Sequence, residues 1–327
     1  MPLTPALPVV LDVDTGVDDA LALLLAARHP GLDLRAVTCV AGNAPVDDVV
    51  RNTLTVLEAA GRADVPVGRG AARPLLEAPR AARHVHGDDG MADLGRPAPS
   101  IAADPRGAVR LLHDVLLDAA ARDAPVTLVP LAPLTNVALL LRTHPEVAAG
   151  LARIVFMGGG ALVSNATAAA EFNVFHDPEA AAVVLDATTD LAIPVTMYGL
   201  DVFYGVRVTR ARAARLAASA DPAARLAGEL LLFQCERFGG DDATIGDAGA
   251  VCAVLEPAGL TTSRLPVRVE LTGSWTRGQT VVDRRTWAGD RGHDPHGVAP
   301  AVVDVALAVD GDRYAGLWLD AVDGAQP

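Results

Sequence analysis

The sequence contains no lysine, and its 27 basic residues are therefore all arginine. A chain without lysine cannot form a Schiff base with a carbonyl substrate and cannot use the lysine of a phosphate-binding P-loop. It also cannot use lysine as a general base. This absence excludes several large classes of enzyme before any motif is considered.

Cysteine is scarce as well: Cys39, Cys235 and Cys252 lie far apart and form no CxxC motif. This spacing in a chain of 327 residues does not indicate a disulfide framework, and it favours a reducing compartment. The first residues carry no basic segment, and the apolar run 20–27 is too short to span a bilayer. We therefore predict a cytoplasmic protein without a membrane partner.

The chain also has fewer basic than acidic residues, 27 against 40, which gives a formal net charge of -13. A strongly acidic chain is repelled by phosphate backbones and by anionic lipid surfaces. The balance therefore argues against nucleic acid as the main partner and favours a small molecule.

Short apolar runs alternate with longer helical patterns along the chain. This alternation predicts a single α/β domain, residues 1–327, with a mostly parallel, doubly wound open sheet. The predicted strands cover residues 9–13, 34–40, 126–131, 154–157 and 193–198, and the predicted helices cover 18–27, 46–60, 107–121, 135–141 and 178–185. A helical pattern over 207–238 and a hairpin of strands 267–271 and 280–283 follow. Residues 68–105 show no clear period, which is typical of a functional loop.

Four aspartates stand between the first predicted strand and the first predicted helix, in the segment VVLDVDTGVDDALALLLAA: Asp12, Asp14, Asp18 and Asp19. Helix capping explains Asp18 or Asp19. It does not explain Asp12 and Asp14, which alternate with apolar residues at the end of a strand. Carboxylates this close together repel one another unless a cation lies among them, and an all-oxygen cluster suits Ca²⁺ or Mg²⁺.

Other polar turns follow the predicted strands. Asn43 follows the second strand in VAGN, and the turns PLAPLTN (130–136) and MGGG (157–160) follow two further strands. Ligands of open α/β sheets bind beside the carboxyl ends of the strands. We therefore expect these turns and the four aspartates to meet at one rim of the sheet.

Two families have a similar acidic segment. LDVDTG resembles the DxDxT signature of haloacid-dehalogenase-like phosphatases, but Gly16 stands in the place of the threonine and the later lysine of those enzymes is absent. The longer string DVDTGVDDALAL is more similar to the DxDxGxDDAxA signature of the inosine-uridine-preferring nucleoside hydrolases.

Further segments resemble that family in the same order along nearly the whole chain. They are VAGNAPVDDVVRNTL (40–54), HGDDGMADLG (86–95), LVPLAPLTNVALLL (128–141), VFMGGG (155–160), NATAAAEFNVFHDPEAA (165–181) and TRGQTVVD (276–283). GDAGAV (246–251) stands where the family has HDxxAV.

The resemblance implies hydrolysis of the N-glycosidic bond of a ribonucleoside, with release of a free base and ribose. It implies one Ca²⁺ held by Asp14, Asp19, Asp247 and the main-chain carbonyl of Leu131. It also implies that Asp14 is the base that takes a proton from the attacking water.

The same resemblance implies a set of substrate-binding residues: Asp18, Asn43, Met157, Asn165, Glu171, Asn173 and Asp247. Glu171 and Asn173 flank Phe172, so we expect them to face the same way if this segment is extended. A ribose diol needs several directed hydrogen bonds, which a buried glutamate and a buried asparagine supply.

Two positions depart from the family pattern. Gly246 replaces the histidine beside the metal-binding aspartate, and LDVFY (200–204) replaces LDVTH. Without that histidine the departing base lacks its usual proton donor, and we name His86 and Tyr204 as the candidates to replace it. We therefore expect an atypical base specificity.

Two alternatives remain open at this point. One is a Ca²⁺-dependent ribose-binding or nucleoside-binding protein with weak catalysis, and the other is a phosphatase of the first family. The resemblance further implies a homodimer or a homotetramer.

Overall fold

The computed structural model describes residues 5–287 and 299–324. The strands within these ranges are β1 (Leu7–Val13), β2 (Leu32–Cys39), β3 (Val67–Arg69), β4 (Val126–Pro130), β5 (Leu151–Met157), β6 (Val195–Tyr198), β7 (Arg207–Thr209), β8 (Asp242–Thr244), β9 (Leu260–Val269), β10 (Thr280–Val282) and β11 (Ala301–Val309).

The helices within the same ranges begin with α1 (Val17–Arg28), α2 (Val46–Ala59), α3 (Arg83–His86), α4 (Ala108–Ala121), α5 (Thr135–Thr143) and α6 (Phe172–His176). They continue with α7 (Pro178–Asp190), α8 (Leu200–Phe203), α9 (Arg210–Ala217), α10 (Pro222–Phe238), α11 (Ala248–Leu255) and α12 (Gly311–Asp323). Short 3₁₀ helices cover Pro145–Gly150 and Pro257–Gly259.

Nine of these strands form one sheet in the order β10-β9-β11-β6-β5-β4-β1-β2-β3. The pairings from β3 across to β11 are parallel, and β9 is antiparallel to both of its neighbours. The predicted mostly parallel, doubly wound sheet is therefore confirmed. The late hairpin is confirmed as well, because Thr280 of β10 pairs with Val269 of β9.

The strand order places the acidic segment at a special point of the sheet. The chain runs outward from β1 through β2 to β3 and then returns to β4, which pairs with the other side of β1. The connections on the two sides of β1 thus lead in opposite directions. Open sheets bind ligands at such a switch point, so the carboxyl end of β1 is the expected position of the site.

Hydrophobic layers cover both faces of the sheet. Helix α1 is apolar almost all round and is buried along nearly its whole length, which is typical of a helix with neighbours on several sides. Trp318 of α12 is fully buried, and its indole N–H donates to the carbonyl of Leu21 in α1 over 3.0 Å. The C-terminal helix therefore holds the helix that follows the acidic segment.

The predicted helical pattern over 207–238 is confirmed for α9 and α10 and is wrong for the first three residues. Its first residues form β7, which pairs antiparallel with β8, and the remainder divides into α9 and α10. The break has a local cause: Asp221 accepts a hydrogen bond from the N–H of Ala224 over 2.9 Å, and Pro222 occupies the first turn of the new helix. Aspartate followed by proline is a strong signal for a helix start.

Candidate active site

Asp14 lies directly after β1 and its carboxylate is held by the turn after β2. Its Oδ2 accepts a hydrogen bond from the N–H of Asn43 over 2.7 Å. This contact requires glycine at position 42, because a Cβ atom there would lie 1.9 Å from the same oxygen. Asp14 is fully buried, and its Oδ1 has no hydrogen-bond partner among the described residues.

Asp19 is the third residue of helix α1, and its carboxylate contacts the main chain of Asp14. Its Oδ1 accepts from the N–H of Asp14 over 3.1 Å, and its Oδ2 accepts from the N–H of Gly16 over 2.9 Å and from Nδ2 of Asn43 over 3.2 Å. Asp19 therefore satisfies free N–H groups at the helix start. Asp19 therefore both caps helix α1 and belongs to the group of neighbouring carboxylates.

Asp18, Asp19 and Asp247 form the centre of the acidic cluster, since one carboxylate oxygen from each lies within 4.8 Å of the other two. Asp247 precedes α11 and makes no capping hydrogen bond with its side chain. Asp14 is outside this group of three. Like Asp14, Asp18 has a buried Oδ1 without a partner in the described part of the chain.

The electrostatics of the cluster favour a cation. Burial raises the pKa of Asp14 and of Asp247 well above the usual range, and the neighbouring carboxylates raise it further. Burial followed by the charge of Asp18 raises the pKa of Asp19 to about 7. Buried like charges destabilise the ionised form of each other, and a cation among them removes that penalty. The partnerless oxygens and the all-carboxylate chemistry therefore fit a hard divalent ion.

Asp12 belongs to a second buried network, beneath the cluster, that was not foreseen from the sequence. Its Oδ1 accepts from Oγ1 of Thr38 over 2.6 Å and from Nδ2 of Asn136 over 2.8 Å. Asn136 also donates to the carbonyl of Cys39 and accepts from the N–H of Ala71. The side chain of Asn136 thus ties together β1, β2 and the turn after β3. The asparagine of the PLAPLTN turn is the sequence signal for this network, but the sequence alone does not pair it with Asp12.

The structure also brings the turns after β4 and β5 to this rim. Nδ2 of Asn173 donates to the carbonyl of Leu131 over 2.9 Å and to the carbonyl of Met157 over 3.2 Å. The N–H of Leu131 donates to the carbonyl of Asp12. Asn173 is therefore the bridge between the two turns, and its side chain fixes the position of the Leu131 carbonyl.

Glu171 departs from the expected geometry. The segment around Phe172 is helical, so the condition of an extended segment, under which Glu171 and Asn173 face the same way, is not met. Glu171 caps the short helix α6, and its carboxylate accepts from the N–H groups of Asn173 and Val174. The same carboxylate accepts from the N–H of Gly159 over 2.9 Å. Three main-chain donors favour a helical turn over an extended strand, and they fix Glu171 against the MGGG turn. Burial raises the pKa of this carboxyl, which the three donors partly offset.

Asn165 and Tyr204 occupy the exposed edge of the site. Oδ1 of Asn165 accepts from the N–H of Phe172 over 2.9 Å. The Asn165 side chain is also close enough to Tyr204 to lower the pKa of its hydroxyl slightly. The Tyr204 ring lies edge-on to Phe203 at 5.0 Å between ring centres. Burial raises the pKa of the Tyr204 hydroxyl, with smaller contributions from the charges of Asp18 and Glu171, so the hydroxyl stays protonated at neutral pH.

His86 also lies beside the cluster, with its Nδ1 3.8 Å from Oδ1 of Asp18. It is buried, and its Nδ1 accepts a hydrogen bond from the N–H of Val17 over 3.1 Å. An accepting Nδ1 requires the proton on Nε2, and burial lowers the pKa of the ring. His86 is therefore a neutral imidazole with an N–H donor at Nε2.

Gly246 stands beside the acidic cluster with a left-handed backbone, φ +51°. A Cβ atom at this position would lie 2.7 Å from Cβ of Asp18 and 2.8 Å from Cζ of Phe203. Phe203 thus fills the space beside Gly246, and both belong to the two segments that depart from the family pattern.

A doubly wound sheet with a buried acidic site at its switch point defines an α/β protein with a candidate site for a divalent ion. Comparison with known proteins makes the class more specific. The family model of inosine-uridine preferring nucleoside hydrolases matches residues 9–316. The chain therefore belongs to this family, and it is an enzyme, a ribonucleoside hydrolase. Of the two families with a similar acidic segment, the match supports the hydrolases.

Individual relatives agree with this assignment. A pyrimidine-specific ribonucleoside hydrolase, RihA, from Enterobacter sp. (strain 638) is 41% identical over 291 residues, which cover 88% of this chain and 91% of the relative. RihA from Shewanella sp. (strain ANA-3) is 39% identical over 320 residues and 96% of each chain. A purine-preferring ribonucleoside hydrolase from Gardnerella vaginalis has a solved structure with TM-score 0.85 and 27% identity, covering 97% of this chain and 98% of that one. The solved structure of a plant nucleoside hydrolase has a TM-score of 0.85 and is 28% identical. The match covers 97% of this chain and 99% of the plant protein.

Within residues 5–287 and 299–324, every helix is too short or too polar to cross a bilayer.

Proposed function

We propose that this chain hydrolyses the N-glycosidic bond of ribonucleosides in a Ca²⁺-dependent reaction, and that it prefers pyrimidine nucleosides. The observation that carries the proposal is the pair of buried, partnerless oxygens, Oδ1 of Asp14 and Oδ1 of Asp18, within a cluster of carboxylates. A buried acceptor without a partner is costly in a folded protein. Two such carboxylate oxygens beside further buried carboxylates therefore support a cation position here.

The residues proposed to hold the ion are Asp14, Asp19, Asp247 and the carbonyl of Leu131. All four donors are oxygen atoms, as Ca²⁺ prefers, and Asp18 adds a further carboxylate at the same place. Bound there, the ion would neutralise the cluster and lower the pKa of a water molecule at the site.

Asp14 is the residue proposed to accept the proton of the attacking water. The N–H of Asn43 fixes one oxygen of its carboxylate, which leaves the other oxygen free to take a proton. A fixed carboxylate in hydrogen-bond reach of its substrate is the usual geometry of a general base. The negative charge of the cluster also stabilises the positive charge that develops on ribose as the bond to the base breaks.

The ribose site is proposed to consist of Asp18, Asn43, Met157, Asn165, Glu171, Asn173 and Asp247. Within this set, Glu171 and Asn173 fix the turns after β4 and β5, while Asp18 and Asn165 lie nearer the open edge. Rigid main-chain anchoring of this kind holds the hydroxyl-binding groups in one geometry before the substrate enters.

The side chains near the leaving base are proposed to be weak proton donors. Glycine at 246 supplies no acid, His86 is neutral with only its Nε2–H to offer, and Tyr204 keeps its hydroxyl proton. His86 and Tyr204 therefore donate hydrogen bonds to the departing base without the strength of an imidazolium. This is the physical basis for an atypical dependence on the leaving group.

The pyrimidine preference is supported by the relatives. Those at 39–41% identity are named pyrimidine-specific, whereas the purine-preferring structure is at 27%. We also propose one catalytic domain, residues 1–327, and a cytoplasmic location in keeping with three free, buried cysteines. Assembly as a homodimer or homotetramer stays a prediction.

The test is a reducing-sugar assay with uridine, cytidine, inosine and adenosine, with free base measured in parallel. The proposal expects equal amounts of ribose and base and the highest kcat/KM for uridine or cytidine. A higher kcat/KM for both purine nucleosides would contradict the pyrimidine preference, and binding without any ribose would contradict the proposed activity.

A further inference from the structure

A second group of metal-ligating side chains lies away from the acidic cluster. His113 on α4, His144 at the end of α5 and Glu146 in the 3₁₀ helix Pro145–Gly150 each have one ligand atom within 4.8 Å of the other two. Helix α5 begins at the carboxyl end of β4 and is nine residues long, so His144 lies about 13 Å further along the helix axis, away from the rim. The hydrolytic reaction gives these three residues no role.

We propose that His113, His144 and Glu146 bind a zinc ion. Oε1 of Glu146 lies 3.6 Å from Nε2 of His113 and 3.2 Å from Nδ1 of His144. Two ligands of a tetrahedral zinc ion, each about 2.1 Å from the metal, are separated by about 3.4 Å. The two separations from Glu146 therefore match two edges of a zinc tetrahedron, and the ligand atoms of the two histidines lie within 4.8 Å of each other. Three protein ligands leave one position of the tetrahedron for water.

The surroundings of His113 orient its ring for this purpose. Nδ1 of His113 lies 3.1 Å from Oδ1 of Asp114, and because a carboxylate only accepts, this nitrogen carries the proton. The lone pair is then on Nε2, the atom that faces Glu146. Arg110 in turn holds Oδ1 of Asp114 over 2.8 Å. A histidine that donates to a carboxylate with one nitrogen and binds metal with the other is the common arrangement in zinc proteins.

The three ligands are also held together before any ion arrives. The 3₁₀ helix packs directly on α4, so closely that a Cβ atom on Gly150 would lie 1.9 Å from the carbonyl oxygen of Leu116. The ring centres of His113 and His144 are 4.5 Å apart. His113 is mostly buried, whereas the side chain of Glu146 is 53% exposed, so an ion can enter from solvent without movement of the backbone. The ion would tie α4 to the turn after α5.

The test uses the full chain without a histidine tag, with excess Ca²⁺ present to fill the acidic cluster, and Zn²⁺ binding measured by calorimetry. We expect one Zn²⁺ per chain at this site and at least a tenfold loss of affinity in His113→Ala, in His144→Ala and in Glu146→Gln. His84→Ala removes one exposed histidine elsewhere and is the matched control, with unchanged affinity expected. Nucleoside hydrolysis should be unchanged in His113→Ala.

Asp114→Asn separates positioning from coordination. It keeps all three ligands but removes the carboxylate that orients His113, so we expect a loss of zinc affinity of about 10–100-fold. Circular dichroism shows which variants are folded, and Glu146→Gln, on an exposed side chain, preserves the test if a histidine variant fails to fold. Wild-type protein that binds no Zn²⁺, or folded variants that bind it as tightly as wild type, would overturn the proposal.

Discussion

Phe203 and Gly246 compete for one volume: a Cβ atom on Gly246 would lie 2.8 Å from Cζ of the phenylalanine ring. The nearest family pattern has threonine at the position of Phe203 and histidine at that of Gly246. The larger ring and the missing side chain therefore act as a pair. A histidine at position 246 should therefore be tolerated better when position 203 is reversed as well.

The first prediction is that Gly246→His destabilises the chain and that Phe203→Thr relieves part of the damage. Overpacking costs about 1–3 kcal/mol, and a left-handed backbone at a residue other than glycine adds about 1–2 kcal/mol. In urea unfolding, the double variant should be more stable than the sum of the single changes by about 1 kcal/mol or more.

Gly239→His is the matched control for this cycle. Gly239 also has a left-handed backbone, φ +69°, but nothing lies within 4 Å of a Cβ atom there. It therefore measures backbone strain without the clash, and Phe203→Thr should give it no relief. Additive changes at positions 246 and 203 would mean that the two residues do not compete.

The second prediction concerns the proton on the leaving base. Positioned acids contribute about 10²–10⁴-fold to such a step, and the site offers only the hydrogen-bond donors of His86 and Tyr204. We expect weak hydrolysis of inosine and uridine and faster hydrolysis of p-nitrophenyl riboside, whose phenolate leaves without a proton. The measurement is the ratio of kcat/KM for the two kinds of substrate in wild type, His86→Ala and Tyr204→Phe. Equal rates, with a ratio that neither substitution changes, would show that the glycine is immaterial.

The third prediction concerns the ion. Asp247→Ala removes a carboxylate that makes no capping hydrogen bond, so its loss should weaken Ca²⁺ binding with little effect on helix α11. We expect at least a tenfold rise in the Kd from calorimetry, or about 1.4 kcal/mol. Asp241→Ala, an exposed aspartate nearby in the chain, is the control and should leave the Kd unchanged. An unchanged Kd in Asp247→Ala would remove this residue from the proposed ligands.

The fourth prediction is a dependence of stability on pH through His176. This histidine is fully buried, and burial followed by the nearby charge of Arg80 lowers its pKa to about 4 from 6.5. Between these values the unfolded chain binds a proton that the folded chain does not, so the contribution is intact above pH 6.5 and is lost as the pH falls towards 4. The loss is about 3 kcal/mol.

The buried carboxyls have raised pKa values and act in the opposite direction, so wild type must be compared with His176→Asn at the same Ca²⁺ concentration. The difference in unfolding free energy between the two proteins should shift in favour of the variant as the pH is lowered. A difference that is independent of pH would show that His176 becomes protonated without penalty.

Much of the fold could be predicted because buried parallel strands are short apolar runs and the helices between them are longer. Strand β3 was missed, since its three residues show no period and only its pairing with β2 defines it. The short helix α6 was not predicted either, because it depends on the Glu171 carboxylate, which accepts from three main-chain N–H groups, one of them in a distant turn. Contacts of that kind are not visible in a local pattern.

In the candidate site, too, residues that are adjacent in sequence could be predicted and contacts between distant residues could not. Asp14, Asp18 and Asp19 could be assigned because they stand together in the sequence at the end of a strand. The link from Asn136 to Asp12, 124 positions apart, and the competition between Phe203 and Gly246 depend on how the chain folds back on itself. A single sequence contains the residues of such pairs without indicating that they meet.

The most direct test of the central claim is free ribose released from uridine by wild type and by Asp14→Asn, each measured after removal of divalent ions and again after addition of Ca²⁺. We expect wild type to release no ribose without the ion and to release ribose and uracil in equal amounts once Ca²⁺ is restored. Asp14→Asn should remain at least about 10²-fold slower in both conditions. Ribose release that is unaffected by ion removal and by the loss of the Asp14 carboxylate would contradict the account.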